Sequence, residues 1–194
     1  VSLEQERPRE EVGLVGVGHV VEVELRQELL DQPPQPLLVD HPRAHRRQLL
    51  RLGVPLIAAA QRNGTPLAVA MLDIDHFKRV NDTWGLDAGD EVLVRIGQLL
   101  KTSFRTSDVV ARFGGEEFCV IAPGLAPQEA FALFDAFRCE LSKETFEFCG
   151  ETVSITISIG VSTAVVDNID TMIAAADAEL YRAKQQGRNR VLVA

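Results

Sequence analysis

The chain has 194 residues, 46% of them hydrophobic and 25% charged, and carries a formal net charge of −8. That length suits one domain plus an extension, and the composition is that of an ordinary globular protein. The acidic balance argues against sequence-independent nucleic-acid binding, which needs a basic face, and no apolar run reaches the length of a membrane span.

Residues 1–52 differ from the rest. The first aromatic residue of the chain is Phe77 and the first lysine is Lys78. The cluster Gln32-Pro33-Pro34-Gln35-Pro36 interrupts any regular element. We expect an atypical N-terminal extension and linker over 1–47 and a folded domain over 48–194. No basic-then-apolar secretory segment opens the chain, so the expected location is cytoplasmic, although a chain that begins with Val1 can lack an upstream sensor or anchor.

Arg46–Gln61 places Leu49, Leu50, Leu52, Leu56 and Ile57 at near-helical spacing, with Pro55 as an irregularity. Asn63-Gly64-Thr65-Pro66 reads as a turn and Leu67–Leu72 as a core strand. Phe77–Thr83 reads as a short helix. Asp90–Phe104 is amphipathic, with Leu93, Ile96 and Leu100 on one face. Val109–Phe113 and Phe118–Ala122 flank Gly114-Gly115-Glu116-Glu117, the layout of a β-hairpin. Gln128–Leu141 is a helix with Ala130, Leu133, Phe134, Phe137 and Leu141 facing inward. Val153–Ile159 alternates strictly and predicts a strand; Ile169–Gln186 predicts a helix and Arg190–Val193 an edge strand. Strands alternating with helices imply a sheet with helices packed against it, an α/β (α+β) fold. Cys119 has the pattern of a buried strand residue. Cys139, Cys149 and the four histidines show no metal-type spacing.

Two stretches carry chemistry. At the hairpin tip, two glycines permit positive φ or close approach of a ligand to the main chain. Two adjacent carboxylates, Glu116 and Glu117, repel unless a cation joins them; otherwise the tip is simply an acidic turn. The strand ending in Asp73-Ile74-Asp75 puts both aspartates on one face, at the end of a sheet where α/β folds bind ligands. Asp73 with the hairpin glutamates would make a Mg²⁺ site of hard oxygen ligands; a strand-end cap is the plainer role. Asp75 suits a helix N-cap as well as a ligand.

With these stretches in view, the sequence resembles the GGDEF-domain diguanylate cyclases. The resemblance rests on Arg112-Phe-Gly-Gly-Glu-Glu-Phe118, Asp73-Ile-Asp-His-Phe-Lys-Arg-Val-Asn-Asp82, Gly89-Asp90-Glu91 and Tyr181–Arg190, in that family's order. It implies a ferredoxin-like core, similar to the polymerase palm and nucleotide cyclases, with a mainly antiparallel sheet. It implies condensation of two GTP into cyclic di-GMP and two pyrophosphates, with two Mg²⁺ (or Mn²⁺) per active site and a homodimer facing two GTP across its interface. Asp73, the Ile74 carbonyl, Glu116 and Glu117 are then the metal ligands. Glu116 is the candidate acceptor of the 3′-hydroxyl proton, and Glu117 can share either role. Asn81 and Asp90 would read guanine; in isolation they read as helix caps. Phe77, Lys78, Gly114, Gly115, Lys184 and Arg188 would hold phosphates. Taken alone, the last two form a basic helix end.

Arg105-Thr-Ser-Asp108 has the spacing of the family's inhibitory product site, against a plain surface ion pair. A second arginine for that site is not evident: Ala136 holds the corresponding position and Arg138 lies near it. Leu86 stands where the family usually has His. The leader Asp40–Arg47 keeps the family's Arg-Arg but not its Leu-Thr-Gly-Leu, and one expectation is that residues 1 to about 45 are a mistranslated leader. The alternative function is a catalytically impaired domain that binds cyclic di-GMP or GTP and signals by contact.

Overall fold

The structure, a computed structural model, describes residues 42–165 and 168–194, with side chains from Arg46 onward. Residues 1–41, with the proline cluster and the first two residues of the leader Asp40–Arg47, lie outside the described residues. The chain runs α1 (Pro42–Asn63), β1 (Leu67–Ile74), α2 (Phe77–Trp84), α3 (Leu86–Ser103), β2 (Val109–Arg112), β3 (Glu117–Pro123), α4 (Pro127–Leu141), β4 (Thr145–Phe148), β5 (Glu151–Ser154), β6 (Ile157–Ser162), α5 (Ile169–Gln185) and β7 (Val191–Val193). Strands β2-β3-β1-β6-β7 form one sheet, antiparallel except for the β6–β7 pair, and β4–β5 form a separate hairpin. This is the expected α+β architecture. Among the described residues no helix is long and apolar enough to cross a membrane.

β1 is buried along its whole length because it is the centre of the sheet and is covered on both faces. Its period of two divides it between layers. Ala68, Ala70, Leu72 and Ile74 join a core with Val92, Ile96 and Leu100 of α3 and Phe134 and Phe137 of α4, where Phe104 packs against both rings. Leu67, Val69 and Met71 join a second core with Leu49 and Ile57 of α1 and Ile173, Ala176 and Leu180 of α5. Cys119 packs in this second core as expected, and burial pushes its thiol up to about 12. Asp73 continues the odd-numbered row, so it emerges under α5. Gly160 of β6 permits that cover: a Cβ there would collide with the α5 backbone at Ala176 and Leu180.

Three expectations need correction. α1 continues through Pro55; Arg51 and Pro55 are both exposed, so water can take up the carbonyl that proline leaves unpaired. The alternating run Val153–Ile159 is two strands: its first half closes the β4–β5 hairpin and its second half is the buried β6, with Ile155-Thr156 as the break. The hairpin turn is Cys149-Gly150, both at positive φ (52° and 82°). Finally, α3 begins at Leu86, not Asp90, so Asp90 lies in the second turn and cannot be its N-cap.

Candidate active site

β1 and β3 place Asp73 opposite Glu117 in an antiparallel register. Cross-strand partners share a face, and like charges so placed repel. Glu116 adjoins the pair, and its carbonyl accepts from the Ile74 N–H at 3.3 Å. Ile74, the other expected ligand, thus meets the hairpin through its own main chain. Gly114 and Gly115 form the tip, but neither has φ in the left-handed region. The expectation of positive φ fails. A Cβ on Gly114 would strike the Glu117 carboxylate, and one on Gly115 would project into open space. Arg112 fixes the tip from inside: its guanidinium donates to the carbonyls of Gly114 and Gly115 at 2.6–3.2 Å. Sequence alone assigns Arg112 no task; its place two residues before a pair of glycines, whose carbonyls have no side chain to shield them, is the signal.

Lys184, on the last turn of α5, reaches Asp73 with Nζ 2.8 Å from Oδ2. Even so, burial outweighs this cation, and the Asp73 carboxyl is held above its ordinary value. Glu116 and Glu117 are also raised, by burial first and then by the charge of Asp73. Arg188 is exposed in the turn after α5, and its charge favours ionised Asp73. Three carboxylates held together by the fold, each harder to ionise than in water, form a site whose negative charge Lys184 and Arg188 only partly offset. Their oxygens and the Ile74 carbonyl are the hard donors that Mg²⁺ or Mn²⁺ prefers. Among the described residues no group of three or more His, Cys, Asp or Glu side chains is placed to hold a metal ion by itself.

α2 starts beside Asp73. Its N-cap, His76, sits at φ 59° and makes no side-chain cap bond. The N–H groups of Phe77 and Lys78, at the first two positions, have no intrahelical acceptor and suit an anion. The Lys78 side chain is exposed and Phe77 is buried. Asn81 is inside α2, not at its end, since the C-cap is Gly85, whose N–H donates to the Asn81 carbonyl at 3.0 Å. Its side-chain oxygen lies against Gly89 of α3, where a Cβ would collide with it. Asp90 follows Gly89 and is exposed, so the two candidate guanine readers are neighbours across the α2–α3 corner. Both helix-cap readings fall. Leu86, in place of the family's usual His, is 75% exposed at the start of α3.

Asp75 is neither N-cap nor positioned as a ligand; its carboxylate is engaged by β6 and by the turn before β7. Arg105 and Asp108 stand apart from the carboxylates, at the other end of β2. Five residues of extended chain lie between Asp108 and Gly114, a span on the order of 20 Å. The two residues close a turn on themselves: Arg105 N–H donates to Asp108 Oδ2 and Asp108 N–H to the Arg105 carbonyl, both at 2.9 Å. Burial raises the Asp108 carboxyl despite these bonds. Arg138 is taken up by Asp135 (2.7 Å) and Asn189 (2.9 Å). From the leader, Arg46 lies over the Phe113 ring at 5.4 Å, beside the glycine tip.

The family described as "Diguanylate cyclase, GGDEF domain" matches residues 44–190. "Diguanylate cyclase DgcP" of Pseudomonas aeruginosa is 44% identical over 140 residues, covering 71% of this chain and 21% of that protein. The chain spans between 21% and 34% of the length of such curated relatives. Among solved structures, the "active GGEEF domain of a diguanylate cyclase from Vibrio cholerae" superposes with a TM-score of 0.72 at 32% identity, covering 77% of this chain and 96% of that one. The GGDEF domain of DgcB from Caulobacter crescentus, in complex with c-di-GMP, gives a TM-score of 0.71 at 33% identity, covering 78% and 86%.

Proposed function

The chain belongs to the GGDEF diguanylate cyclase family, and on that premise we propose that it condenses two GTP into cyclic di-GMP and two pyrophosphates. The carrying observation is the juxtaposition of Asp73 and Glu117 across β1–β3, with Glu116 adjoining and Lys184 at 2.8 Å. A solved GGEEF domain described as active supports a working Gly-Gly-Glu-Glu tip. We take 48–194 as the cyclase domain, acting as a homodimer with one GTP per protomer.

In each half-reaction a ribose 3′-oxygen bonds to the α-phosphorus of the other GTP. The α–β bridging P–O bond breaks and pyrophosphate leaves with that electron pair. Glu116, whose carboxyl is raised by burial and by the charge of Asp73, takes the 3′-hydroxyl proton. Asn81 and Asp90 receive the guanine edge through amide and carboxylate bonds. The start of α2, Lys78, Lys184 and Arg188 hold the terminal phosphates, and the bare tip at Gly114-Gly115 lets the α-phosphate approach the main chain. Asp73, the Ile74 carbonyl, Glu116 and Glu117 would hold divalent ions, which would supply charge neutralisation for the transfer. Arg105 and Asp108 bind cyclic di-GMP as an inhibitor, Arg to phosphate or guanine and Asp to guanine N–H groups.

Chromatography of purified chain incubated with GTP and Mg²⁺ tests this reading. Cyclic di-GMP that disappears in Glu116→Ala supports it. Cyclic di-GMP bound tightly with no turnover supports the second reading, a signalling receptor. What favours that second reading is the Arg105–Asp108 turn, which is assembled without any contribution from the carboxylate cluster.

A further inference from the structure

Asp75 is as buried as Asp73, 5% against 6% exposed, but its surroundings are opposite in kind. Its Oδ1 accepts from the Ser158 hydroxyl at 2.6 Å. Its Oδ2 accepts from the Thr156 hydroxyl at 2.7 Å and from the Asn189 main-chain N–H at 3.0 Å. Its own N–H donates to the Thr156 carbonyl at 2.9 Å. A carboxylate with three donors on its two oxygens is satisfied in place and has no task in the chemistry above. What it joins are three segments remote in sequence: the end of β1, the start of β6 and the turn after α5.

That turn keeps helix-end bonds of its own, from the Arg188 N–H to the Ala183 carbonyl at 3.0 Å and from the Gly187 N–H to the Lys184 carbonyl at 3.4 Å, but its backbone is left-handed. Gly187, Arg188 and Asn189 have φ of 111°, 63° and 45°. The last two carry side chains, for which left-handed backbone is unfavourable and persists where surroundings enforce it. Asn189 gives its N–H to Asp75, and its side-chain oxygen accepts from Arg138 at 2.9 Å. Arg188 directly precedes this doubly anchored residue, and its charge is felt at Asp73.

We propose that Asp75 is a positioning residue: it locks the 187–189 turn onto the end of β1 and so sets where Arg188, and Lys184 on the adjoining helix end, face Asp73. The consequence for turnover rests on the cyclase reading; the lock itself does not.

The whole 194-residue chain is used for the test. In nucleotide-free wild type the Asn189 amide should exchange with solvent at least about a hundredfold more slowly than an unstructured amide, although its residue is exposed. An unprotected amide there overturns the proposal whether or not any variant folds. In Asp75→Ala, amides 186–190 should exchange at least about tenfold faster while β1 and β3 keep their protection. With GTP, the same variant should raise KM at least about tenfold with kcat changed less than about threefold. Asp75→Asn can turn its oxygen toward Asn189 and its amide toward the Ser158 hydroxyl, so it should stay within about threefold of wild type in both readouts. Unchanged exchange at 186–190 in Asp75→Ala, or a loss spread evenly over the sheet, rejects the lock. So does an Asp75→Asn as damaged as Asp75→Ala. A wild type that makes no cyclic di-GMP defeats the cyclase reading instead, and the exchange pattern still decides the lock.

Discussion

The two ends of β2 put charge to opposite uses. At one end, Arg105 and Asp108 have opposite signs and close a turn on each other, complete without a ligand. At the other, Glu116, Glu117 and Asp73 have one sign and are raised by burial, the two glutamates also by the charge of Asp73, and Lys184 lies 2.8 Å from Asp73. A self-satisfied turn can wait for a ligand without cost to the fold. A crowded carboxylate cluster is unfavourable until positive charge arrives, and an arrangement kept despite that points to a task other than stability.

The largest effect expected at the crowded end is on rate. Glu116→Ala should lower kcat by about 10²–10⁴ in a pyrophosphate-release assay while GTP still binds. At the closed end the effect is smaller: Arg105→Ala should raise the cyclic di-GMP concentration for half-inhibition by about tenfold, the loss of one charge-assisted contact. The contrast fails if both variants abolish turnover equally.

Stability separates the two ends further. Asp73, Glu116 and Glu117 are raised above ordinary values near 3.8, 4.5 and 4.5. Their contribution to stability is fully present below those ordinary values and is lost as pH rises through the raised ones. Glu117→Gln removes one such loss. It should therefore raise the Tm of metal-free protein by about 1–3 °C at pH 7.5 and by less at pH 5, from a like-charge pair worth up to about 1 kcal/mol. With Mg²⁺ the order should invert, because ionised ligands are then rewarded and the variant has one fewer. Thermal unfolding at both pH values, with Mg²⁺ and with chelator, reads this out. The smallest effect is at Leu86, 75% exposed at the rim. Leu86→His should change kcat/KM by less than about fivefold with no shift in Tm.

Much of this arrangement was legible in the sequence because it is periodic or contiguous. β1, α3, α4 and α5 follow from spacing alone, and the acidic hairpin tip from its glycines. The alternating run Val153–Ile159 misled because alternation survives a bend: a residue pattern cannot tell one strand from two that part at Ile155-Thr156. β4 was missed because four residues give too short a window. At Asp75 the partners come from 81, 83 and 114 residues away, so local reading could offer only a cap or a ligand. Arg138 likewise shows its engagement with Asn189 only once the chain has folded.

Gly160 carries a mechanical consequence. Where β6 meets α5 at that residue, no side chain lies between strand and helix. The contact has no cushion and no slack, so a displacement of α5, with Lys184 at its end, drags the sheet that bears Asp73. Such a unit shifts as one piece, and its output is governed by which other unit it is brought to face.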